Sequence, residues 1–292
     1  MRIKESKGDT IFYIVMVIIA LTTILITVYP MIYTVSRAFS EPQYVVTKQV
    51  VFLPKGFSLE AFKFVLRNRD VYLGFMNSVI YSGVAVLFNT TLTILLAYPL
   101  SRRYFSLRKQ LTVFVVMTMF FSAGMIPNFL LVTNLGLYDT RWAMILPSAL
   151  SVYNVIITRS YIENNIHESL IESARIDGAN DFYILFKVVV PLSKPIIAVL
   201  VLFVAVDKWN SYMDALMYLP SQELQPIQLY LRRVMLLMSE EGMNESDAGP
   251  ASMISYQIKY VVAIIAMVPI MCVYPFLQKY FAKGISLGGV KE

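Results

Sequence analysis

The residues from Ile11 to Val35 read IFYIVMVIIALTTILITVYPMIYTV and contain no charged side chain. A helix needs about 20 consecutive apolar residues to cross the hydrocarbon core of a bilayer, so this run predicts a transmembrane helix. Further apolar runs predict spans at residues 75–100, 111–134, 142–160, 195–219 and 259–281. The sequence therefore predicts an all-α membrane protein with about six transmembrane helices.

The composition agrees with a membrane protein and argues against other classes. Hydrophobic residues make up 57% of the 292 positions and charged residues 15%, against roughly 25% charged in soluble domains. The net charge of +6 comes from dispersed Lys and Arg residues, which argues against nucleic-acid binding. The single cysteine, Cys272, and the single histidine, His167, allow neither a disulfide nor a Cys/His metal cluster.

Two of the six predicted spans, the first and the fourth, have features that allow another interpretation. The first follows a basic segment and so resembles a signal peptide, but its length and the lack of a small-x-small cleavage site favour a retained helix. The fourth contains Pro147, Ser151 and Asn154. These residues suit a helix packed inside a bundle better than one that faces lipid on all sides.

Basic residues in the short loops set the predicted orientation, because they stay on the cytoplasmic side. The turn Ser101–Gln110 is rich in them, with Arg102, Arg103, Arg108 and Lys109. With this turn inside, the predicted cytoplasmic segments are residues 1–10, 161–194 and 282–292, and the predicted extracellular loops are residues 36–74 and 220–258. The first extracellular loop is also basic, but long translocated loops follow the charge rule poorly. In the second, the acidic part from Glu240 to Pro250 predicts a segment that is mobile or ordered only by a partner.

The long predicted cytoplasmic loop contains ESLIESARIDGANDFYILFKVVVPLSKP, from Glu168 to Pro195. Apolar residues at helical spacing predict a short helix that ends at Asp177-Gly178. Asn180 or Asp181 then fits the capping position of a second helix. The pattern predicts two short helices joined by a turn.

The second of these helices has a predicted apolar side formed by Phe182, Leu185 and Phe186. Pro191 is predicted to end it, because proline lacks a backbone N–H and interrupts a helix. Pro195 fits the first turn of the fifth span, where helices tolerate proline. The loop is therefore predicted to lie across the inner membrane surface.

Several positions of this loop resemble the EAA loop of bacterial ATP-binding-cassette importer permeases: Glu172-x-Ala174, Asp177-Gly178-Ala179, Phe186, Pro191 and Pro195. Ser173 and Val190 depart from that pattern, in which alanine and leucine are usual, and both keep size or polarity within range. The resemblance implies the architecture of a type I importer with both termini in the cytoplasm, and a helix that seats on a cytoplasmic ATPase. The residues that the resemblance assigns to this ATPase contact are Glu172, Ser173, Ala174, Arg175, Asp177, Gly178 and Ala179.

The chain is predicted to be neither an enzyme nor a cofactor-binding protein. It contains no GxxxxGK[ST] phosphate-binding loop, and no set of acid, base and nucleophile can be assembled from it. The resemblance implies two copies of a separate ATPase that bind ATP and Mg²⁺, a second permease subunit in a heterodimer with this chain, and an extracellular solute-binding protein. It also implies a multi-pass location in the bacterial cytoplasmic membrane.

The fifth span carries a polar cluster that is costly in lipid. Its members follow the spacing i, i+3, i+4, i+7 and would share one face of a continuous helix: Asp207, Asn210, Ser211 and Asp214. Trp209 and Tyr212 beside them offer rings that stack on a sugar, while the polar groups pair with its hydroxyls. The stretch from Trp209 to Tyr212 also resembles a motif of the carbohydrate permeases. A sugar or oligosaccharide is therefore the predicted cargo.

Other interpretations of the same residues stay open. Asp207, Lys208 and Asp214 would equally tie this span to its neighbours. The weaker candidates for a cavity are Asn77, Tyr81, Asn89 and Asn128, because such residues more often join helices. In a secondary transporter driven by an ion gradient, the two aspartates would be coupling sites, but no inverted repeat is visible. A membrane enzyme with these aspartates as acid and base is remote, because histidine and metal ligands are missing from that depth.

Overall fold

The computed structural model describes residues 7–121, 123–240 and 250–287. Within these ranges the regular structure is helical, apart from an isolated bridge between Ser40 and Phe57. The helices are α1 (Lys7–Ala38), α2 (Pro42–Val46), α3 (Glu60–Arg67), α4 (Arg69–Ser101), α5 (Arg108–Phe120), α6 (Met125–Asn134), α7 (Val152–Asn165), α8 (Glu168–Ile176), α9 (Asp181–Tyr183), α10 (Val190–Leu192), α11 (Lys194–Trp209), α12 (Tyr212–Tyr218), α13 (Ile227–Glu240) and α14 (Pro250–Leu287). A π-helical segment and two 3₁₀ turns lie between them, at Ile184–Val189, Arg141–Met144 and Gln222–Leu224. The predicted all-α membrane fold is confirmed.

Three helical stretches are long and apolar enough to cross a membrane unbroken: Gly8–Ala38, Arg69–Ser101 and Ile254–Pro275. They correspond to the predicted first, second and sixth spans. Two bent pairs raise the number to five if each pair forms one span. One pair is α5 with α6, and the other joins Asp181–Leu192 to α11 at a bend of 79°.

The predicted third span, residues 111–134, is not one helix. α5 ends at Phe120 and α6 begins at Met125. Gly124 between them adopts φ +84°, a conformation outside the range of right-handed helices. Glycine reaches this region without the steric cost of a side chain, so the helix breaks there.

The prediction of one continuous helix over residues 142–160 is wrong. The 3₁₀ turn ends at Met144, and α7 begins only at Val152 and runs for 14 residues. At 1.5 Å per residue α7 is about 21 Å long, shorter than the roughly 30 Å of a hydrocarbon core. Ser151 accepts a hydrogen bond from the N–H of Asn154 and so caps α7. Ser151, which the sequence predicts inside a helix, is therefore the N-cap of α7.

Both predicted extracellular loops contain helices. Residues 36–74 include α2, α3 and the first turn of α4, and residues 220–258 include α13 and the start of α14. α3 is amphipathic, with Ala61 and Val65 buried one turn apart, although the phenylalanines between them, Phe62 and Phe64, obscure the period in the sequence. The segment predicted to be mobile falls mainly on residues 241–249, which lie outside the described residues.

The chain divides into two compact units: Met1–Val71 with Arg233–Met267, and Tyr72–Arg232 with Val268–Glu292. In the first, the buried Gln257 amide closes the end of α1. Its Nε2 lies 2.9, 2.8 and 2.7 Å from the carbonyl oxygens of Arg37, Ala38 and Ser40. The last carbonyls of a helix lack partners within it, so this amide satisfies groups whose burial would otherwise be costly.

The second unit contains the candidate site and is organised around α4. A buried face of α4 holds the segment that precedes α13. The Asn77 amide donates to the Glu223 carbonyl at 2.7 Å, and the Tyr81 hydroxyl donates to the Leu224 carbonyl at 2.7 Å. Asn77, a weak candidate for a cavity from the sequence, is therefore buried in a contact between segments.

Gly74 lies one turn before Asn77, where α4 closely approaches the backbone of Ile227. A Cβ atom on Gly74 would lie 3.2 Å from both Cα and N of Ile227. We expect Gly74→Val to lower the free energy of unfolding by about 1–3 kcal/mol, because backbone atoms cannot move aside as a side chain can.

Gly83→Ala on the same helix is the matched control, because no atom lies within 4 Å of its Cβ position. Helix propensity favours alanine over glycine by about 1 kcal/mol, so this variant should be at least as stable as the parent. Thermal unfolding of the purified chain in detergent measures both variants. Equal stability of the two would contradict the close approach at Gly74.

Candidate functional site

The loop that follows α7 is ordered by its own turn chemistry. Gly178, after the end of α8, adopts φ +83°. Its N–H donates to the Arg175 carbonyl, and the N–H of Ala179 donates to the Ala174 carbonyl, both at 2.9 Å. These two bonds form a Schellman motif, a helix-ending turn in which glycine is favoured because it reaches positive φ without steric cost. The predicted helix break is present here.

A second helical segment begins directly after this turn. The Asn180 side-chain oxygen accepts a hydrogen bond from the Tyr183 N–H at 2.8 Å, so Asn180 is the N-cap that the sequence predicts. The helix then passes through the π-helical segment and α10, and ends at Leu192. This end lies one residue after Pro191, close to the predicted end, and a bend of 79° separates the helix from α11.

One side of this loop packs against the protein and another is uncovered. Ile171 of α8 and Ile184 are buried in a core with Leu100 of α4 and Ile162 of α7. At the turn, Ile176 is 86% exposed. Exposed large apolar side chains next to a well-ordered turn are typical of a surface that receives a partner.

The predicted apolar side of the second helix is wrong in part. Leu185 is buried, but Phe182 and Phe186 are 71% and 54% exposed. The π-helical segment changes the number of residues per turn, so these three side chains do not follow the α-helical spacing assumed from the sequence. The two phenylalanines add to the uncovered apolar surface of the loop.

The predicted coupling residues lie on two sides of the turn. A shallow cavity of about 380 Å³ is lined by Ala174, Asp177, Gly178, Ala179, Asn180 and Tyr183. Glu172 instead lines a larger cavity of about 760 Å³, together with Arg102 and Arg103. The Ser173 hydroxyl donates to the Ser169 carbonyl at 2.9 Å. The structure therefore brings most of the predicted residues to one concave surface and separates Glu172 from them.

Arg175 connects α8 to two neighbouring segments. Its Nη2 donates to Asp181 Oδ1 at 2.7 Å, and its Cζ lies 3.7 Å from the centroid of the Tyr104 ring. The Tyr104 hydroxyl donates to the same Asp181 oxygen at 3.2 Å. The hydrogen bond to Asp181 raises the pKa of the Arg175 guanidinium. The guanidinium therefore stays charged at every physiological pH.

The predicted fifth span breaks between α11 and α12, at the polar cluster. Ser211 adopts φ −77° and ψ 60°, and the Tyr212 N–H donates to the Asn210 carbonyl at 2.8 Å, which makes an inverse γ-turn. The Asn210 amide and the Ser211 hydroxyl donate to the carbonyls of Val206 and Lys208, both at 2.8 Å. The same two carbonyls also accept the N–H groups of Asn210 and Ser211, at 3.2 and 3.3 Å, so the side chains add to the last backbone bonds of α11.

The prediction that four polar residues share one helical face is therefore wrong. Asn210 and Ser211 form the turn itself, whereas Asp207 and Asp214 lie on separate helices, α11 and α12. The i, i+3, i+4, i+7 spacing places residues on one face only while the helix is continuous. Asn and Ser bond readily to nearby backbone, and here they end it.

Lys208 and Asp214 form an ion pair across this break. Lys208 Nζ lies 3.3 Å from Asp214 Oδ2, and the exposed fractions of the two side chains are 3% and 38%. A buried ammonium group needs such a counter-charge. The pair thus ties the two halves of the span together, a role close to the helix-joining interpretation of the sequence.

The aromatic residues predicted to stack on a sugar have contacts within the protein. Trp209 is buried, with its ring edge-on to Phe75 and 5.7 Å between centroids. The Arg232 guanidinium of α13 lies 4.7 Å from the centroid of the Tyr212 ring. Asn128 is exposed on α6. The structure does not bring these side chains together at one site.

A polar cavity of about 500 Å³ lies between α4, the segment before α7, and α11. Asp207 and Lys208 line it, and the remaining wall is formed by Asn89, Pro147, Ser148, Leu150, Ser151, Tyr153, Asn154, Phe203 and Val204. The Asn154 amide donates to Asn89 Oδ1 at 3.2 Å, and the Asn89 amide donates to the Ser148 carbonyl at 3.3 Å. From the sequence, Asn89 is a weak candidate for a cavity, and Asn154 is expected inside a packed helix.

The walls of this cavity suit a polyhydroxylated ligand. The exposed Asp207 carboxylate offers hydrogen-bond acceptors, and Tyr153 and Phe203 add aromatic surface. Within the described residues, no group of three or more His, Cys, Asp and Glu side chains could hold a metal ion.

Comparison with known proteins agrees with these features. Residues 89–287 match the model of the family described as binding-protein-dependent transport system inner membrane component. The chain is 42% identical over 289 residues to the polygalacturonan/rhamnogalacturonan transport system permease protein YtcP of Bacillus subtilis (strain 168), covering 99% of each chain. It is 37% identical over 266 residues to Protein LplC of the same organism, covering 91% of this chain and 90% of that protein.

A solved structure has the same fold. A chain in the crystal structure of a bacterial ABC transporter involved in the import of the acidic polysaccharide alginate superposes with a TM-score of 0.87 and 33% sequence identity. The match covers 95% of this chain and 99% of that chain. The resemblance drawn from the EAA loop is thereby confirmed. The chain belongs to the family of inner membrane components of binding-protein-dependent transport systems and lies in the bacterial cytoplasmic membrane.

Proposed function

We propose that this chain is one permease subunit of an ATP-driven importer, and that its cargo is an oligosaccharide delivered by an extracellular solute-binding protein. The observation that carries the proposal is the loop after α7. Its Schellman turn holds Asp177 and Gly178 at an exposed, concave surface beside Ile176. An ordered surface of this kind suits a close contact with another protein, here the ATPase.

Energy and cargo delivery come from partner chains in this proposal. Two ATPase subunits bind ATP and Mg²⁺, since the chain has no phosphate-binding loop of its own. A second permease completes the pore, and the family description names a binding protein. The contacts that we assign to the ATPase are those of the coupling loop, Glu172 to Ala179.

Fragments of acidic polysaccharides are the proposed cargo class. YtcP is named for polygalacturonan and rhamnogalacturonan, and the alginate transporter is named for an acidic polysaccharide. The polar cavity beside Asp207 and Lys208 provides donors and acceptors for sugar hydroxyls and carboxylates. We assign this cavity to the translocation path, with Asn89 and Asn154 as further contact residues.

The mechanism follows from linkage between the two sites. Closure of the ATPase pair displaces the coupling loop, and this displacement changes the packing of α5, α7 and α11 so that the polar cavity opens outward. The cargo-loaded binding protein favours the same outward-open state, because a ligand shifts a conformational equilibrium only through its preference for one state.

Affinity purification of this chain from its own membranes tests the proposal. We expect a stable detergent-solubilised complex that contains an ATPase and a second permease, with ATP hydrolysis stimulated by the cargo-loaded binding protein. A lone homodimer that accumulates sugar with an ion gradient and without ATP would overturn the proposal. That outcome would support the secondary-transporter alternative, in which Asp207 and Asp214 couple ions.

A further inference from the structure

The short turn between α4 and α5, residues 102–107, contacts the coupling loop through the polar side chain of Tyr104 and through Phe105, which packs against the core around Ile171. The Tyr104 ring lies face-on to Arg175 with 3.7 Å between its centroid and Cζ, and its hydroxyl donates to Asp181 Oδ1 at 3.2 Å. Arg175 in turn bonds to that same oxygen at 2.7 Å. Tyr104, Arg175 and Asp181, hereafter the clamp, therefore join α8, α9 and the turn.

The turn is itself fixed to the surrounding helices. Arg102 is buried, and its Nε donates to Ser101 Oγ at 3.0 Å. Arg108 at the start of α5 forms an ion pair with Glu163 of α7. Arg159 donates to the same Glu163 carboxylate at 3.0 Å. A displacement of the turn must therefore carry the end of α4 and the start of α5 with it.

The covalent connections of the chain do not by themselves carry movement of the coupling loop to α4 and α5. The coupling loop is joined covalently to α7 before it and to α11 after it, whereas α4 and α5 contact it through the apolar core around Leu100 and Ile171 and, at the turn between them, through the clamp. A planar guanidinium suits the clamp, because it stacks on an aromatic ring and pairs with a carboxylate at the same time. A lysine ammonium can pair with a carboxylate, but it cannot stack flat on a ring while doing so.

We propose that Tyr104 is a positioning residue, through which movement of the coupling loop reaches α4 and α5 as well as α7 and α11. The proposal rests on the proposed function, since it assumes that an ATPase moves this loop. It predicts that loss of the clamp lowers the amount of cargo transported per ATP hydrolysed more than it lowers assembly of the complex.

Proteoliposomes that contain the whole complex and the cargo-loaded binding protein test this inference. Labelled oligosaccharide retained in the vesicles and phosphate released give the transport-to-hydrolysis ratio. We expect Tyr104→Leu to lower this ratio by about fivefold or more, a size typical of coupling between sites. Tyr104→Phe keeps the ring over Arg175 and should retain at least about half of the ratio.

Arg175→Lys and Lys109→Gln complete the design. The lysine keeps the charge but loses the planar fork, so we expect a fall of about the same size as for Tyr104→Leu. Lys109 is exposed on the same helical hairpin, and its variant removes a charge without touching the clamp, so its ratio should match that of the parent. Copurification of the ATPase with each variant checks assembly.

The outcomes separate the two proposals. A parent complex that shows no ATP-dependent uptake overturns the proposed function, whatever the variants do. If the parent couples and Tyr104→Leu couples equally well, the clamp does not transmit motion. A Tyr104→Phe variant as defective as Tyr104→Leu would also overturn the inference, because it would leave no role for the ring stacked on Arg175.

Discussion

Gly178→Trp is expected to abolish ATP-dependent uptake while the chain still folds and inserts. Gly178 is exposed, and no atom lies within 4 Å of the position of its Cβ. An indole there would project away from the chain, into the space that we assign to the ATPase. Within the chain, only the φ of +83° opposes a side chain, at a cost of about 1–2 kcal/mol for a left-handed residue. Uptake of labelled oligosaccharide into proteoliposomes measures the effect.

Gly178→Asn is the matched control for this variant. Asparagine tolerates positive φ better than other residues and is small, so it tests the backbone conformation without filling the contact. We expect it to keep most of the uptake. If the tryptophan variant transports as well as the asparagine variant, Gly178 does not lie at a close contact.

Asp214→Asn is expected to destabilise the chain by about 1–3 kcal/mol, because it leaves the buried Lys208 ammonium without its counter-charge, and solvent at the partly exposed carboxylate reduces this effect. The side chain of Lys208 is 3% exposed, and the Asp214 carboxylate lies 3.3 Å from its Nζ. Thermal unfolding of the purified complex measures the change. The double variant Lys208→Met with Asp214→Asn removes both charges and should recover most of the lost stability.

Asp207→Asn separates stability from transport. Asp207 lines the polar cavity but is exposed and lies on the other side of the helix break from Asp214. We expect this variant to unfold at the temperature of the parent and to transport cargo more slowly. A stability loss equal to that of Asp214→Asn would show that the ion pair between Lys208 and Asp214 has no specific effect on stability.

Apolar runs and capping residues made much of the fold predictable. The long runs in α1, α4 and α14 identify these helices because a membrane span needs a length that soluble helices seldom reach. Around the coupling loop, Gly178 and Asn180 act through local turn chemistry. The turn at Gly178 and the cap at Asn180 depend on nearby residues alone, so the sequence predicts them.

Helix breaks and tertiary contacts were not predictable in the same way. Asn210 and Ser211 fit the polar stripe of a continuous helix equally well, and only their bonds to backbone carbonyls make them a turn. The cavity combines Asn89 of α4 with Asn154 of α7, which are far apart in sequence. Hydropathy does not encode which polar residues of separate spans meet, since that depends on how the helices pack.

We propose that this chain is a permease subunit of an ATP-driven importer, and ATP-dependent uptake of oligosaccharide by the reconstituted complex is the decisive test. The complex, in proteoliposomes with enclosed ATP and Mg²⁺, is supplied from outside with the binding protein and a labelled galacturonate oligosaccharide. We predict that the labelled oligosaccharide accumulates only when ATP, binding protein and cargo are all present. We also predict that the Gly178→Trp complex does not accumulate it. Accumulation by this chain alone, driven by an ion gradient without ATP, would contradict this proposal.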